Sequence, residues 1–205
     1  MLTTDFYALM GIDLVMCAVF LRVACLTMPT TMIKTPAWAI WLSAALLIGL
    51  WLPWGDAGLS LLAYARGVLS DFSVTSVFLS VLWIGQRLGV MTSVQRTEKQ
   101  ATYAVLVLGA ALLYPTALGL GDWDAYRLGW GAPGLFVSLS LLALSSFLIG
   151  WRRLPLLISA ALMGWSLGLL ESGNLWDYLI DPWLACAAIA ASLKAGLSLL
   201  RQPVA

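Results

Sequence analysis

The sequence predicts an all-α fold, a polytopic bundle of about seven transmembrane helices that forms a single domain over residues 1–205. Of these residues, 61% are hydrophobic and 10% are charged, whereas about a quarter of an ordinary soluble domain is charged. The apolar residues occur in runs that approach the roughly 20 residues a spanning helix needs. We therefore expect an integral membrane protein that contacts the lipid bilayer, located in a bacterial inner (cytoplasmic) membrane.

Seven apolar segments follow one another along the chain. The second and the sixth are close to the lower length limit of about 17 residues. A stretch between the second and the third, Leu59–Arg66, is too short to span and is expected to lie along the membrane interface. In chain order, the predicted spans are Phe6–Met28, Ala37–Pro53, Val68–Gln86, Ala101–Leu120, Pro133–Trp151, Leu154–Leu170 and Pro182–Leu200.

The first segment differs from a secretion signal in its charges. Asp5 and Asp13 take the place of a basic n-region, and no small-residue cleavage site follows the apolar stretch. We therefore expect this segment to remain in the protein as its first helix.

Basic and acidic residues alternate between successive connections. Because Lys and Arg beside a spanning helix tend to stay in the cytoplasm, the alternation predicts an amino terminus outside and a carboxyl terminus inside. Seven crossings satisfy every connection. The inner side carries Lys34, then Arg87, Arg96 and Lys99, then Arg152 and Arg153, and finally Arg201. The outer side carries Asp56, then Asp122 and Asp124, then Glu171, Asp177 and Asp181, together with Arg66 and Arg127.

Several classes of chemistry are excluded by the composition. The 11 Lys and Arg residues nearly balance the 10 Asp and Glu residues, so there is no basic field to hold nucleic acid. Histidine is absent, which removes the usual general base and a common haem and zinc ligand. Cys17, Cys25 and Cys186 lack metal-ligand or redox spacing, and no nucleotide-binding or nucleophile motif is present. We expect no cofactor, no metal and no catalytic residue.

Asp13, Arg66 and Asp71 are predicted to form one polar cluster in the outer half of the bundle. If the first helix begins near Phe6, Asp13 lies about 10 Å below the outer edge, where an unpaired charge is costly. Arg66 is preferred over Arg127 as its cation, with Asp71 on the other side of the guanidinium. In a continuous helix, however, about 7.5 Å and 140° would separate Arg66 from Asp71. A structural ion pair and a proton-coupled site are the alternative roles for Asp13.

A stripe of serines follows this cluster down the third predicted helix. Ser70, Ser73, Ser76 and Ser80 are spaced by three, three and four residues. Small hydroxyl residues at this spacing indicate a helix–helix contact in a membrane. A polar transport path is the alternative interpretation.

Acidic and aromatic residues collect in the connections predicted to lie outside. They indicate a surface that docks a partner or binds a ligand. The acids also have the oxygen ligands that a hard divalent cation prefers, but their spacing matches no loop motif. The candidate residues of this outer-face site are Asp122, Asp124, Tyr126, Arg127, Glu171, Asn174, Asp177 and Asp181.

Two short sequences in these outer connections are similar to each other. Gly121-Asp-Trp-Asp-Ala-Tyr126 and Gly173-Asn-Leu-Trp-Asp-Tyr178 place Trp123 and Trp176 53 residues apart, which is about the length of a helical hairpin. The similarity indicates either a duplicated pair of hairpins or an aromatic belt. In both cases, the aromatic residues of the two sequences are expected at one headgroup level.

Two short motifs within residues 60–130 resemble the membrane domain of lipoteichoic-acid-synthase-like and phosphoethanolamine-transferase-like enzymes of the alkaline phosphatase superfamily. They are Arg66-Gly67-x-x-x-Asp71-x-Ser73 and Asp122-Trp-Asp124-Ala-Tyr126-Arg127. In that family, a large periplasmic domain carries the nucleophile and the metal ligands. The resemblance implies a membrane domain without its enzyme, acting as an anchor or partner for a separately encoded envelope enzyme.

Three functional classes are compatible with these features. We favour a non-catalytic anchor, scaffold or accessory subunit for a cell-envelope enzyme or complex, which binds another membrane or periplasmic protein. The first alternative is a small transporter or permease subunit with a polar site around Asp13 and Arg66. The second is a lipid-modifying membrane enzyme that uses the outer-face carboxylates.

Overall fold

The computed structural model describes residues 2–28 and 37–200. Within these ranges the chain is mostly helical, with one hairpin of two-residue strands, so the all-α prediction is confirmed. The elements are α1 (Leu2–Thr27), α2 (Ala37–Gly49), β1 (Pro53–Trp54), β2 (Leu59–Ser60), α3 (Leu61–Leu69), α4 (Val74–Arg87), α5 (Arg96–Ala117), a 3-10 helix (Ala125–Trp130), α6 (Pro133–Leu148), α7 (Arg153–Ser166), α8 (Leu175–Leu179) and α9 (Pro182–Leu200).

Among the described residues, two helices are long and apolar enough to cross a membrane, not seven. They are Thr3–Thr27 and Arg96–Ala117. Shorter apolar helices cover Ala37–Gly49, Pro133–Leu148 and Pro182–Ser198. The orientation stays a prediction, and Lys34 and Arg201, which helped to define it, lie outside the described residues.

The second, fifth and sixth predicted spans all end earlier than expected because the chain turns. In Ala37–Pro53, α2 ends at Gly49, and Pro53 already pairs with Ser60 in the hairpin. In Pro133–Trp151, α6 ends at Leu148, and Gly150 adopts a φ of 88°. A helix commonly ends next to a glycine in this left-handed conformation.

The third predicted span, Val68–Gln86, is interrupted. Helix α3 ends before Ser70, which has a φ of 62°, and α4 begins only after Ser73. The Ser73 hydroxyl accepts a hydrogen bond from the backbone nitrogen of Ser76 at 3.1 Å, and it therefore acts as the N-cap of α4. The predicted serine stripe is thus wrong as a continuous feature, because only Ser76 and Ser80 lie on the same helix.

Contacts divide the chain into two compact units, and the single domain over residues 1–205 stays a prediction. The first unit comprises Met1–Ser93 and Gly168–Glu171. In it, α1 packs against α2, α3 and α4. One apolar cluster beside α1 contains Ile12, Leu50, Leu62, Phe72 and Val77, and a second contains Cys17, Leu21, Ala39 and Ile84.

The second unit comprises Val94–Leu167 and Ser172–Ala205, and its order of elements occurs twice. A helix (α5 or α7) is followed by a short helix (the 3-10 helix or α8) and then by a helix that begins with proline (α6 or α9). Helix α5 packs against α9, α7 packs against α6, and α5 packs against α7. When α5 is exchanged with α7 and α6 with α9, the same three contacts result. A duplication with pseudo-two-fold symmetry requires this.

The short helices of the two halves also begin in the same way. Asp124 accepts a hydrogen bond from the backbone nitrogen of Tyr126, and Asn174 accepts one from that of Trp176. If the two N-caps are equivalent, Asp124 corresponds to Asn174. This pairing differs by three residues from the pairing of Trp123 with Trp176 in the sequence comparison. Trp176 and Tyr178 are also buried, which is atypical of an aromatic belt. The structure therefore favours duplication for this part of the chain.

Candidate functional site

A polar cluster in the first unit is centred on Arg66, near the end of α3. Its Nε and Nη2 atoms donate to the two carboxylate oxygens of Asp71 at 2.7 and 3.1 Å. Its Nη1 donates to Asp5 at 2.7 Å, and its Nη2 also donates to Glu171 at 3.0 Å. The bidentate contact with Asp71 forms because the helix ends before Ser70, whereas a continuous helix would have kept the two side chains apart.

The charges of this cluster are only partly shielded from solvent. The side chains of Arg66 and Asp71 are 24% and 21% exposed, and that of Glu171 is 68% exposed. Hydrogen bonds to Asp71 first, and then to Asp5, raise the pKa of the Arg66 guanidinium above its ordinary value. Arg66 is therefore a permanent cation that ties three carboxylates together, which is a structural role.

Asp13, which we expected to join this cluster, contacts a different partner. Its Oδ2 accepts a hydrogen bond of 2.8 Å from Nε1 of Trp51, just after α2. Asp5 occupies the position beside Arg66 that was predicted for Asp13. Because Asp5 and Asp13 are eight residues apart on α1, about 12 Å of helix separates them, so an arginine that reaches one is remote from the other. No local feature of the sequence indicated Asp5 as a partner of Arg66 or Trp51 as a partner of Asp13.

In the second unit, the two connections predicted to lie outside bind each other. The Tyr126 hydroxyl donates to Oδ2 of Asp177 at 2.9 Å, and the Ser172 hydroxyl donates to the same oxygen. Asn174 donates through Nδ2 to the backbone oxygen of Tyr126 at 2.9 Å. Nε1 of Trp176 donates to the backbone of the 3-10 helix, also at 2.9 Å. We call Tyr126, Ser172, Asn174, Trp176 and Asp177 the loop latch.

The remaining residues of the predicted outer-face site are dispersed. Asp124 is the N-cap of the 3-10 helix, and the buried Asp181 caps α9 by accepting from the backbone nitrogen of Leu184 at 2.8 Å. Asp122 and Arg127 are exposed. Glu171 belongs to the first unit, where it contacts Arg66. Of the eight predicted residues, Tyr126, Asn174 and Asp177 are those that the loop latch brings together.

The environment of Tyr126 keeps its phenol protonated. Burial, and then the hydrogen bond to Asp177, raise the pKa of Tyr126 above its ordinary value. A neutral phenol can continue to donate to a carboxylate across the physiological range. The Tyr126 hydroxyl can therefore maintain its hydrogen bond to Asp177 within the loop latch.

A third buried acid, Glu98, carries no signal of its role in the sequence. Glu98, in the first turn of α5, accepts through Oε1 from the backbone nitrogen of Arg152 at 2.7 Å and from that of Arg153. It thereby caps α7 from another helix. No local motif links position 98 to positions 152 and 153, and no sequence signal predicted this contact.

The described residues thus form an all-α fold, and two of their helices are long and apolar enough to span a membrane. Within the part of the chain that the structure describes, no group of three or more Cys, Asp or Glu side chains is arranged to hold a metal ion. Comparison with protein-family models, with curated proteins and with solved structures finds no match for this chain.

Proposed function

We propose that the chain is a multi-pass integral membrane protein of a bacterial inner membrane, and that it acts as a non-catalytic anchor, scaffold or accessory subunit for a cell-envelope enzyme or complex. The membrane assignment rests on the surface of its helices. Only 28% of the residues in the apolar window of α1, and 22% of those in α5, are buried, whereas the core helix of a soluble protein is mostly buried. Lipid would cover these exposed apolar faces.

The shorter apolar helices carry the same kind of surface. Large side chains are exposed on α2 at Trp41, on α6 at Leu141 and on α9 at Leu193. Helices of 16 and 19 residues, such as α6 and α9, extend about 24 and 28 Å, close to the roughly 30 Å of the hydrocarbon core. Their surfaces support further crossings. The proposed orientation, with the amino terminus outside and the carboxyl terminus inside, rests on the alternation of basic and acidic connections in the sequence.

The loop latch supports an accessory role over a catalytic one. Its hydroxyl, amide and carboxylate groups bind each other, so they hold the loops in one conformation. Trp123 and Trp130 remain exposed beside the latch, and tryptophan is enriched in protein–protein interfaces. We propose that these two side chains, fixed by the latch, contact a membrane or periplasmic partner.

The topology is tested with reporter fusions. Alkaline phosphatase is expected to be active when fused after Asp124 and inactive when fused after Arg153 or Arg201. The opposite pattern at any of these positions contradicts the proposed orientation. Resistance of the full-length chain to extraction by alkaline carbonate tests membrane integration separately.

The accessory role is tested by photo-crosslinking in intact cells. A photoreactive amino acid at Trp123 is expected to give one protein adduct in stoichiometric yield, whereas the same amino acid at the exposed Leu141 of α6 is expected to give lipid adducts only. Equal protein adducts at both positions, or none at Trp123, would refute the docking role.

A further inference from the structure

Asp13 lies on α1 and is 0% exposed. Its neighbours on the helix, Ile12 and Cys17, belong to the two apolar clusters of the first unit. The buried Ser43 hydroxyl on α2 donates to a backbone oxygen of its own helix. The carboxyl group is therefore enclosed by apolar side chains and by a few neutral polar groups.

The hydrogen bonds of Asp13 are too few for an ionised carboxylate. Its Oδ2 accepts one bond from the Trp51 indole, and its Oδ1 has no hydrogen-bond partner among the described residues. An ionised carboxylate offers about four acceptor sites, and burying its charge with one neutral donor is very costly. A protonated acid keeps the indole bond at its carbonyl oxygen and removes the charge.

The cations on the elements around α1 have other partners. Arg66 on α3 binds Asp5, Asp71 and Glu171.

The other arginines on these elements, and the tyrosine of α3, are also not hydrogen-bonded to Asp13. Arg87 on α4 lies over the Trp38 ring at 4.9 Å, and Tyr64 on α3 is exposed. Helix α2 has no ionisable side chain. On α1 itself, Arg22 is exposed, nine residues from Asp13, which places it on the opposite side of the helix. No cation in the described ranges pairs with Asp13.

We propose that Asp13 is a proton-binding site within the membrane. The proton comes from water and resides on Oδ1, while Oδ2 remains the carbonyl oxygen that accepts from Trp51. This inference goes beyond the anchor or accessory role, which requires no protonation site. It depends on the burial and hydrogen bonds of one side chain and is independent of any partner protein.

The first test is modification by dicyclohexylcarbodiimide, an apolar reagent that reacts with protonated carboxyl groups. The full-length protein in phosphatidylcholine vesicles at neutral pH is expected to carry the adduct on the Asp13 peptide and not on those of Asp5 or Asp71. The adduct is expected to disappear in Asp13→Asn. Modification of Asp5 or Asp71 in place of Asp13 overturns the proposal, and so does protection of Asp13 by sodium but not by choline, which would indicate a cation site.

Infrared spectroscopy provides a test that does not require a reagent to reach the side chain. Subtracting the spectrum of Asp13→Asn from that of the unmodified protein is expected to leave the carbonyl stretch of a carboxylic acid. In Trp51→Phe, this band is expected to move to higher frequency because the indole hydrogen bond is lost. A carboxylate band in the difference spectrum at neutral pH refutes the proposal.

Discussion

The side-chain oxygen of Asn174 stands where a side chain on Gly129 would begin. A Cβ at Gly129 would lie 1.7 Å from Oδ1 of Asn174 and 2.8 Å from Cδ1 of Trp176. Asn174 cannot easily withdraw, because its amide is hydrogen-bonded to the backbone on both sides, at Tyr126 and at Trp176. The loop latch therefore requires glycine at this position.

Gly129→Ala is expected to destabilise the protein. The added methyl group overlaps buried atoms, and overpacking of this kind typically costs about 1–3 kcal/mol. The measurement is the thermal midpoint of the purified protein in a mild detergent. Truncating the neighbour in Asn174→Ala is expected to lower the additional cost of Gly129→Ala, because most of the overlap then disappears.

Gly109→Ala is the matched control. Gly109 lies inside α5, and a Cβ there would meet nothing within 4 Å. Because alanine favours a helix over glycine by roughly 0.8–1 kcal/mol, this change is expected to be neutral or stabilising. Equal losses in both variants would contradict the steric argument.

Glu98 gives the second prediction. Glu98→Gln keeps an acceptor for the backbone nitrogens of Arg152 and Arg153 but removes the negative charge beside the start of α7, which we expect to cost about 0.5–2 kcal/mol. Glu98→Ala leaves both nitrogens without this acceptor, at roughly 1–3 kcal/mol for each buried group. Chemical unfolding should rank the alanine variant below the glutamine variant, whereas Asp122→Ala, at an exposed position, should change little. A glutamine variant as unstable as the alanine variant would show that the charge alone matters.

The sequence predicted those features whose signal is local. The positions of α1, α5, α6 and α9 were predicted from runs of apolar residues, because the length of such a run can be read from one continuous segment. The break at Ser70 was missed, since no glycine or proline stands at that position to mark it. The bidentate contact of Arg66 with Asp71 depends on this break, so helical geometry alone argued against it.

The partners of the buried acids were beyond local inference. Asp13 binds Trp51 across 38 residues, and Glu98 binds Arg152 across 54. Energetic reasoning correctly indicated that a buried carboxylate needs compensation. It could not choose between a cation and an indole, because that choice depends on how the helices pack. The expected link between Asp13 and Arg66 failed for this reason.

Tyr126 gives a prediction that depends on pH. Tyr126→Phe removes the hydrogen bond to Asp177 and is expected to cost about 1 kcal/mol near neutral pH. Because the folded-state pKa of Tyr126 is raised, its contribution is present below the ordinary tyrosine pKa of about 10 and is lost as the pH rises through the folded-state value. The difference in stability between the two proteins should therefore shrink in alkaline solution.

Tyr64→Phe is the control for this titration. Tyr64 is exposed on α3, so its removal is expected to change stability little at any pH. Unfolding by denaturant at several pH values, from neutral to above 10, provides the comparison. A constant gap between the unmodified protein and Tyr126→Phe would show that the phenol does not titrate with folding.

The last prediction concerns Arg66 and its acidic partners. Arg66 and Asp71 share two hydrogen bonds and are partly shielded from solvent, so their substitutions should not be additive. Arg66→Gln, Asp71→Asn and the double variant are expected to give a coupling energy within the roughly 0.5–3 kcal/mol seen for contacting residues. In the single variant Arg66→Gln, three carboxylates lose their common cation, which is expected to make it the least stable of the three.

A second double-mutant cycle, with Arg66 and Asp13, distinguishes the observed contacts from the cluster that the sequence predicted. Asp13 binds Trp51 and not Arg66, so Arg66→Gln and Asp13→Asn are expected to be additive within about 0.3–0.5 kcal/mol. Both cycles are measured as thermal stability in one detergent, with gel filtration to confirm that each variant is folded. The described contacts between α1 and α3 would be contradicted by a large coupling energy between Arg66 and Asp13 together with additive effects of Arg66→Gln and Asp71→Asn.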